Sequence, residues 1–181
     1  MKKSFVLLVS VILSVLFLSC ESKSKPDILG KWEAKLTLKS ELASKADGSQ
    51  APQAYLYTKQ TINLIFAEGG TYTRKILQTV DKVELLNSSE DPEAAKEYFS
   101  QYYNKDLTFD GDYIQEASAI TFNVDTVQGG NDEPLSYEDF FVKDPSIGDD
   151  SYSSEYELKD GFLFVDGIKF KKVEQNLSAV N

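Results

Sequence analysis

Few side chains in this chain could do chemistry: one cysteine, Cys20, one arginine, Arg74, no histidine, and 29 carboxylates against 19 basic residues, for a net charge of -10 in 181 residues. Without histidine there is no Ser-His-Asp relay, no ordinary general base near neutral pH, and none of the commonest metal ligand. A lone cysteine excludes an internal disulfide, a CxxC redox pair and a cysteine-rich zinc site. Neither phosphate-cradling pattern, G-x-x-x-x-G-K-[ST] or G-x-G-x-x-G, occurs. A single arginine in an acidic chain is a poor match to the phosphates of nucleic acid. The carboxylates concentrate in residues 125–157, ten against Lys143 alone. Acidic loops can take calcium, but the EF-hand spacing is absent, and a solvated rim is the expectation, with a field able to select a basic protein partner or ligand or to keep the protein off anionic surfaces. Paired carboxylates could hydrolyse a glycoside, yet nothing ties one pair together. We therefore expect no enzyme, no catalytic residue, no metal ligand and no cofactor.

Cys20 has a specific context. Lys2 and Lys3 precede an apolar run over residues 5–18, broken only by Ser10 and Ser14, and Ser19 stands before the cysteine. A positive start, a 14-residue apolar run and a small residue before a polar break make an export signal, too short to span a bilayer. The Ser19-Cys20 pair resembles the lipobox of bacterial lipoproteins. That resemblance implies a signal peptide over residues 1–19, diacylglyceryl and palmitate-type acyl chains on Cys20, and membrane anchoring in the bacterial cell envelope. Phe17 departs from the leucine usual three positions before the cysteine. Acyl chains contribute ~0.8 kcal/mol per buried methylene, so two or three hold where one is marginal. Loss of Lys2 and Lys3 takes the mature net charge from -10 to -12.

The rest of the chain must position whatever the protein presents. Residues 20–27 are polar, include Pro26, and read as a lipidated tether. From residue 28 alternation begins: Trp32, Ala34, Leu36 and Leu38 point one way, Lys31, Glu33, Lys35, Thr37 and Lys39 the other. Residues 40–53 read as a loop. Further strands are predicted over residues 54–66, 71–76, 112–117, 119–127, 155–158, 162–165 and 168–173, with Gly69-Gly70, Asp160-Gly161 and Asp166-Gly167 as turns. One short inserted helix is predicted after Asp91-Pro92, with Ala95, Tyr98, Phe99 and Tyr102 on one face packed over a barrel end. The expected fold is mainly β, an eight- or nine-stranded antiparallel up-and-down barrel over residues 28–174, with a flexible tail at 175–181. Closure removes the sheet edges that would invite aggregation.

Gly30-Lys31-Trp32, the run from Leu64 through Gly69-Gly70-Thr71-Tyr72-Thr73, Gly111-Asp112-Tyr113-Ile114 with Ala119-Ile120-Thr121-Phe122, and the final meander together resemble small lipocalin-like domains of bacterial lipoproteins. The resemblance implies that Trp32 plugs one barrel end, covered by a basic residue of the last strand, here Lys169, Lys171 or Lys172. It also implies a small hydrophobic ligand inside the barrel. By phase with Trp32, the expected lining is Leu36, Leu38, Ile62, Leu64, Phe66, Ile120, Phe122 and Phe164. The alternative reading is that these residues fill a solid core and the protein acts as a surface interaction module, of adhesin or inhibitor type, through its acidic loops.

Overall fold

The computed structural model describes residues 25–43, 52–86 and 91–174. The predicted signal peptide, Cys20 and the tail at 175–181 lie outside the described residues. Among the described residues nine strands occur: β1 (Gly30–Ala43), β2 (Pro52–Phe66), β3 (Thr71–Leu85), β4 (Lys105–Gln115), β5 (Ala119–Gly129), β6 (Leu135–Ser136), β7 (Ser151–Lys159), β8 (Phe162–Val165) and β9 (Ile168–Val173). Every pairing is antiparallel. The sheet runs β4-β3-β2-β1-β9-β8-β7-β5 and closes through β4 and β5, an eight-stranded up-and-down barrel with β6 added beside β5. Each barrel strand pairs with its neighbours in the chain, so short turns suffice for most connections.

Alternation places the core. Trp32 and Ala34, Ile62, Leu64 and Phe66, Ile120 and Phe122, Tyr156, Leu163 and Phe170 all face inward and form one buried cluster with Ile28. Two bulges shift this alternation. Opposite Tyr57 and Thr58, Asp81 is an extra residue in β3, so Val80 and Val83 share a face although their numbers differ in parity. Asp125 is likewise extra in β5, where Phe122 and Val124 face inward and Val127 does too. The second bulge needs Gly111, because a Cβ there would lie 2.0 Å from the Asn123 carbonyl oxygen.

β1, β2 and β3 are longer than the barrel requires. β9 meets β1 only at Lys31, Trp32 and Glu33, so the rest of the β1–β2–β3 sheet projects beyond it. The predicted loop at 40–53 is correspondingly shorter. The helix α1 (Pro92–Tyr103) is capped by Asp91, whose side chain accepts from the Glu93 N–H at 3.0 Å. It packs on this projection, not over the barrel end: Ala95, Phe99 and Tyr103 meet Ala54, Leu56, Val80 and Val83 in a second cluster. That face runs at four-residue spacing, which leaves Tyr98 and Tyr102 outside it, 55% and 62% exposed. Beside the β3 bulge, the Val80 N–H donates to Asn104 Oδ1 at 2.8 Å and ties the helix end to the sheet.

A second helix, α2 (Tyr137–Lys143), stands where only acidic loop was expected. The Ser136 hydroxyl accepts from the Asp139 N–H at 3.2 Å, Glu138 and Asp139 occupy the first turn, and Lys143 the last. Tyr137 and Phe140, three apart, pack on Phe109, Val124 and Val127. The acidic density of this segment masked that short apolar spacing. Among the described residues no helix is long and apolar enough to cross a membrane.

Candidate functional site

Trp32 is buried in the barrel core beside the last strand. It is 2% exposed, its indole Nε1 donates to the Ile28 carbonyl at 2.7 Å, and Lys172 is the terminal-strand lysine whose Nζ lies 5.2 Å from its ring centroid. Phe66 and Tyr113 pack edge to face at 4.9 Å, and Tyr72 meets Phe122 edge to face at 4.8 Å. These rings pack in the same buried cluster as Trp32.

Further along the barrel a cavity of about 110 Å³ remains. Ile62 and Leu64 of β2, Arg74 and Ile76 of β3, Phe122 of β5, Tyr152 and Ser154 of β7, Val165 of β8, Ile168 and Phe170 of β9 and the turn residue Asp166 line it. Most of this wall is apolar. Its polar members are Tyr152, Ser154, Asp166 and Arg74, the last of which follows Tyr72 and precedes Ile76 on the inward face of β3.

Two aromatic rings lie against the Arg74 guanidinium. Its Cζ lies 4.3 Å from the Phe109 ring centroid and 5.1 Å from that of Tyr152, and Nη1 donates to Tyr152 Oη at 2.6 Å. Phe109 is its direct cross-strand partner on β4. Cation–π attraction, about 2 kcal/mol when desolvated, offsets part of the cost of holding a charge inside. No ion pair to Arg74 occurs among the described residues. Its Nε is buried without a hydrogen-bond partner, as is Tyr72 Oη. Burial, above all, pushes the Tyr72 hydroxyl well above the ordinary range, with Tyr152 adding to the shift and Arg74 opposing it. Burial raises Tyr152 as well, against the pull of Arg74. The two hydroxyls influence each other's ionisation, although their geometry falls outside that of a hydrogen bond. Both phenols stay neutral near pH 7, and the guanidinium carries the only charge of this inner group.

Of the residues predicted to line a ligand space, Ile62, Leu64 and Phe122 border the cavity. Trp32, Phe66 and Ile120 are packed in the core away from it, and Leu36 lies half-buried against that core. Leu38 does not face the interior: it is 41% exposed, because β9 does not reach the part of β1 that carries it. Phe164 does not face the interior either. The turn at Asp160-Gly161 pairs Leu158 with Leu163 and Tyr156 with Val165, and opposed residues share a face. Phe164 therefore stands outside, between its partners Glu157 and Lys169. Arg74 and Tyr152 were not among the predicted lining residues. Alternation of Tyr72, Arg74 and Ile76 was the available signal for the arginine; Tyr152 had none, since polar Ser151, Ser153 and Ser154 hide its phase.

The acidic segment is spread over β5, the β5–β6 turn, α2, β7 and the stretch between α2 and β7. Among the described residues no three carboxylates group so as to hold a metal ion. Its negative field is felt at Tyr137, whose hydroxyl is raised by burial and then by Asp150, Asp149 and Glu138. Phe141 and Val142 on α2 are exposed. No protein-family model matches this chain, and no curated protein matches it.

Proposed function

We propose that this protein is a lipoprotein of the bacterial cell envelope, anchored by acyl chains on Cys20, whose lipocalin-like barrel takes a small hydrophobic molecule into its inner cavity. The observation that carries the reading is the mainly apolar cavity of about 110 Å³, which the packed core around Trp32 leaves unfilled. An apolar space of ~150 Å³ stays dry and admits benzene, so this one suits a somewhat smaller body. The test uses the full chain in lipid nanodiscs with labelled isoleucine methyls. A small apolar probe should move the resonances of Ile62, Ile76 and Ile168 while leaving Ile114, on the outer surface, in place. Unmoved cavity methyls overturn the ligand reading.

A second reading, the surface interaction module, draws on the exposed Tyr98 and Tyr102 of α1 and on Phe141 and Val142 of α2 beside the acidic segment. It gains if no probe enters the barrel and a basic protein binds in a salt-sensitive manner. Charge reversal at Asp149 and Asp150 should then weaken that binding.

A further inference from the structure

We infer that the molecule held in the cavity is an anion, a carboxylate on a short aliphatic body, with Arg74 as the group that receives the charge. This rests on the cavity-binding reading and narrows it. The sole arginine of the chain is placed on the inner face of β3, in the wall of an otherwise mainly apolar space. A barrel that needed only a filled core would carry an aliphatic residue there, as it does at Leu64 across the ladder and Ile76 along the strand.

The guanidinium's surroundings satisfy it incompletely. Phe109 and Tyr152 lie against it and the Tyr152 hydroxyl accepts from Nη1, but neither ring supplies a negative charge. Nε has no hydrogen-bond partner although it is buried. A guanidinium enclosed in a fold is normally paired with a carboxylate, and one that stands in a cavity wall with no ion pair among the described residues points to an anion as what the cavity accepts. A carboxylate presents two coplanar oxygens that match the guanidinium fork. Asp166 is the acid of the cavity wall. It sits exposed on the β8–β9 turn, and its Oδ1 accepts from the Glu155 N–H at 3.0 Å, an engagement of its own away from Arg74.

The size of the space sets the rest of the ligand. About 110 Å³ is room for roughly four water molecules at ~30 Å³ each, or for a chain of about four carbons. Butanoate is therefore the probe, and butanamide, equal in shape and neutral, its control. The full chain in nanodiscs is titrated with each, read by calorimetry and by the methyl resonances of Ile62, Ile76 and Ile168. Butanoate is expected to bind about tenfold tighter than butanamide or better, and Arg74→Met to remove that preference. Should Arg74→Met not fold, Arg74→Gln makes the same comparison, and the two probes on the unaltered chain need no variant at all. Equal affinities for the two probes, or a butanoate preference that survives loss of the guanidinium, overturn the anion assignment. If butanamide still moves the cavity methyls, the apolar reading stands without it. If neither probe moves them, both readings fall.

Discussion

Arg74 donates from Nη1 to Tyr152 Oη at 2.6 Å, and this bond crosses the barrel interior from β3 to β7, strands that are not neighbours in the sheet. It links opposite walls beside the cavity. Tyr152→Phe removes the acceptor and keeps the ring, which stacks on Phe122 at a centroid distance of 5.1 Å. We expect a loss of about 1 to 3 kcal/mol, measured by urea denaturation, because a charged donor is left without its acceptor. A loss below ~0.5 kcal/mol would mean that water replaces the hydroxyl at no cost.

Burial holds the Tyr72 and Tyr152 hydroxyls above their ordinary value of 10.0. The unfolded chain therefore releases these protons first as pH rises, and the native state binds more protons than the unfolded state above about pH 10. Stability should be level below that pH and fall beyond it. Urea denaturation between pH 8 and 11, with tyrosinate absorbance followed in parallel, reads this directly; a flat profile up to pH 11 would show that neither phenol is shielded.

Trp32 and Leu38 lie on the same strand with the same phase, yet their substitutions should differ. Trp32→Ala should cost about 3 to 5 kcal/mol, since the indole is buried in the barrel core and its N–H is bonded to Ile28. Leu38→Ala, 41% exposed, should cost less than ~1 kcal/mol. Comparable losses would contradict the end of β9 as the limit of the barrel wall.

Gly111→Ala should destabilise by about 2 kcal/mol or more, because its Cβ would meet the Asn123 carbonyl oxygen at 2.0 Å and force the β4–β5 bulge apart. Gly129→Ala is the comparison, with nothing nearer than 3.6 Å. Thermal midpoints of the two variants should separate, Gly111→Ala being the lower; equal midpoints would mean that the closing ladder yields freely.

Cys20→Ala should abolish incorporation of labelled palmitate and leave an unprocessed precursor. Processing and membrane attachment that persist without the thiol would rule out the lipid anchor.

The period-two alternation of residues 30–39 and 54–66, and the Gly-rich and Asp-Gly turns, made the antiparallel barrel legible, because strand faces and tight turns are local properties of the chain. Asp91-Pro92 marked α1 for the same reason. The short helix α2 was hidden by the charges around Tyr137 and Phe140, and the strand predicted over 71–76 extends to Leu85 as β3, because the outward Leu77 and the bulge at Asp81 both break the parity of its apolar residues. Phase also misplaced Phe164, since a four-residue strand with apolar side chains at every position does not declare its inner face, and only the pairing of Tyr156 with Val165 settles it.

By itself, then, the amino-acid order determined strands, turns, the first helix and the scarcity of groups for catalysis, all set within a few residues of chain. Which of those inward residues fill the barrel, and which border a space, was decided only when distant strands closed on one another. Arg74 shows the difference: its position on the inner face follows from alternation, but its setting against Phe109 and Tyr152, in the wall of a cavity, comes from strands β4 and β7, which only tertiary packing brings to it. Packing is a non-local property, and a charge acquires its meaning inside a fold from the groups that surround it.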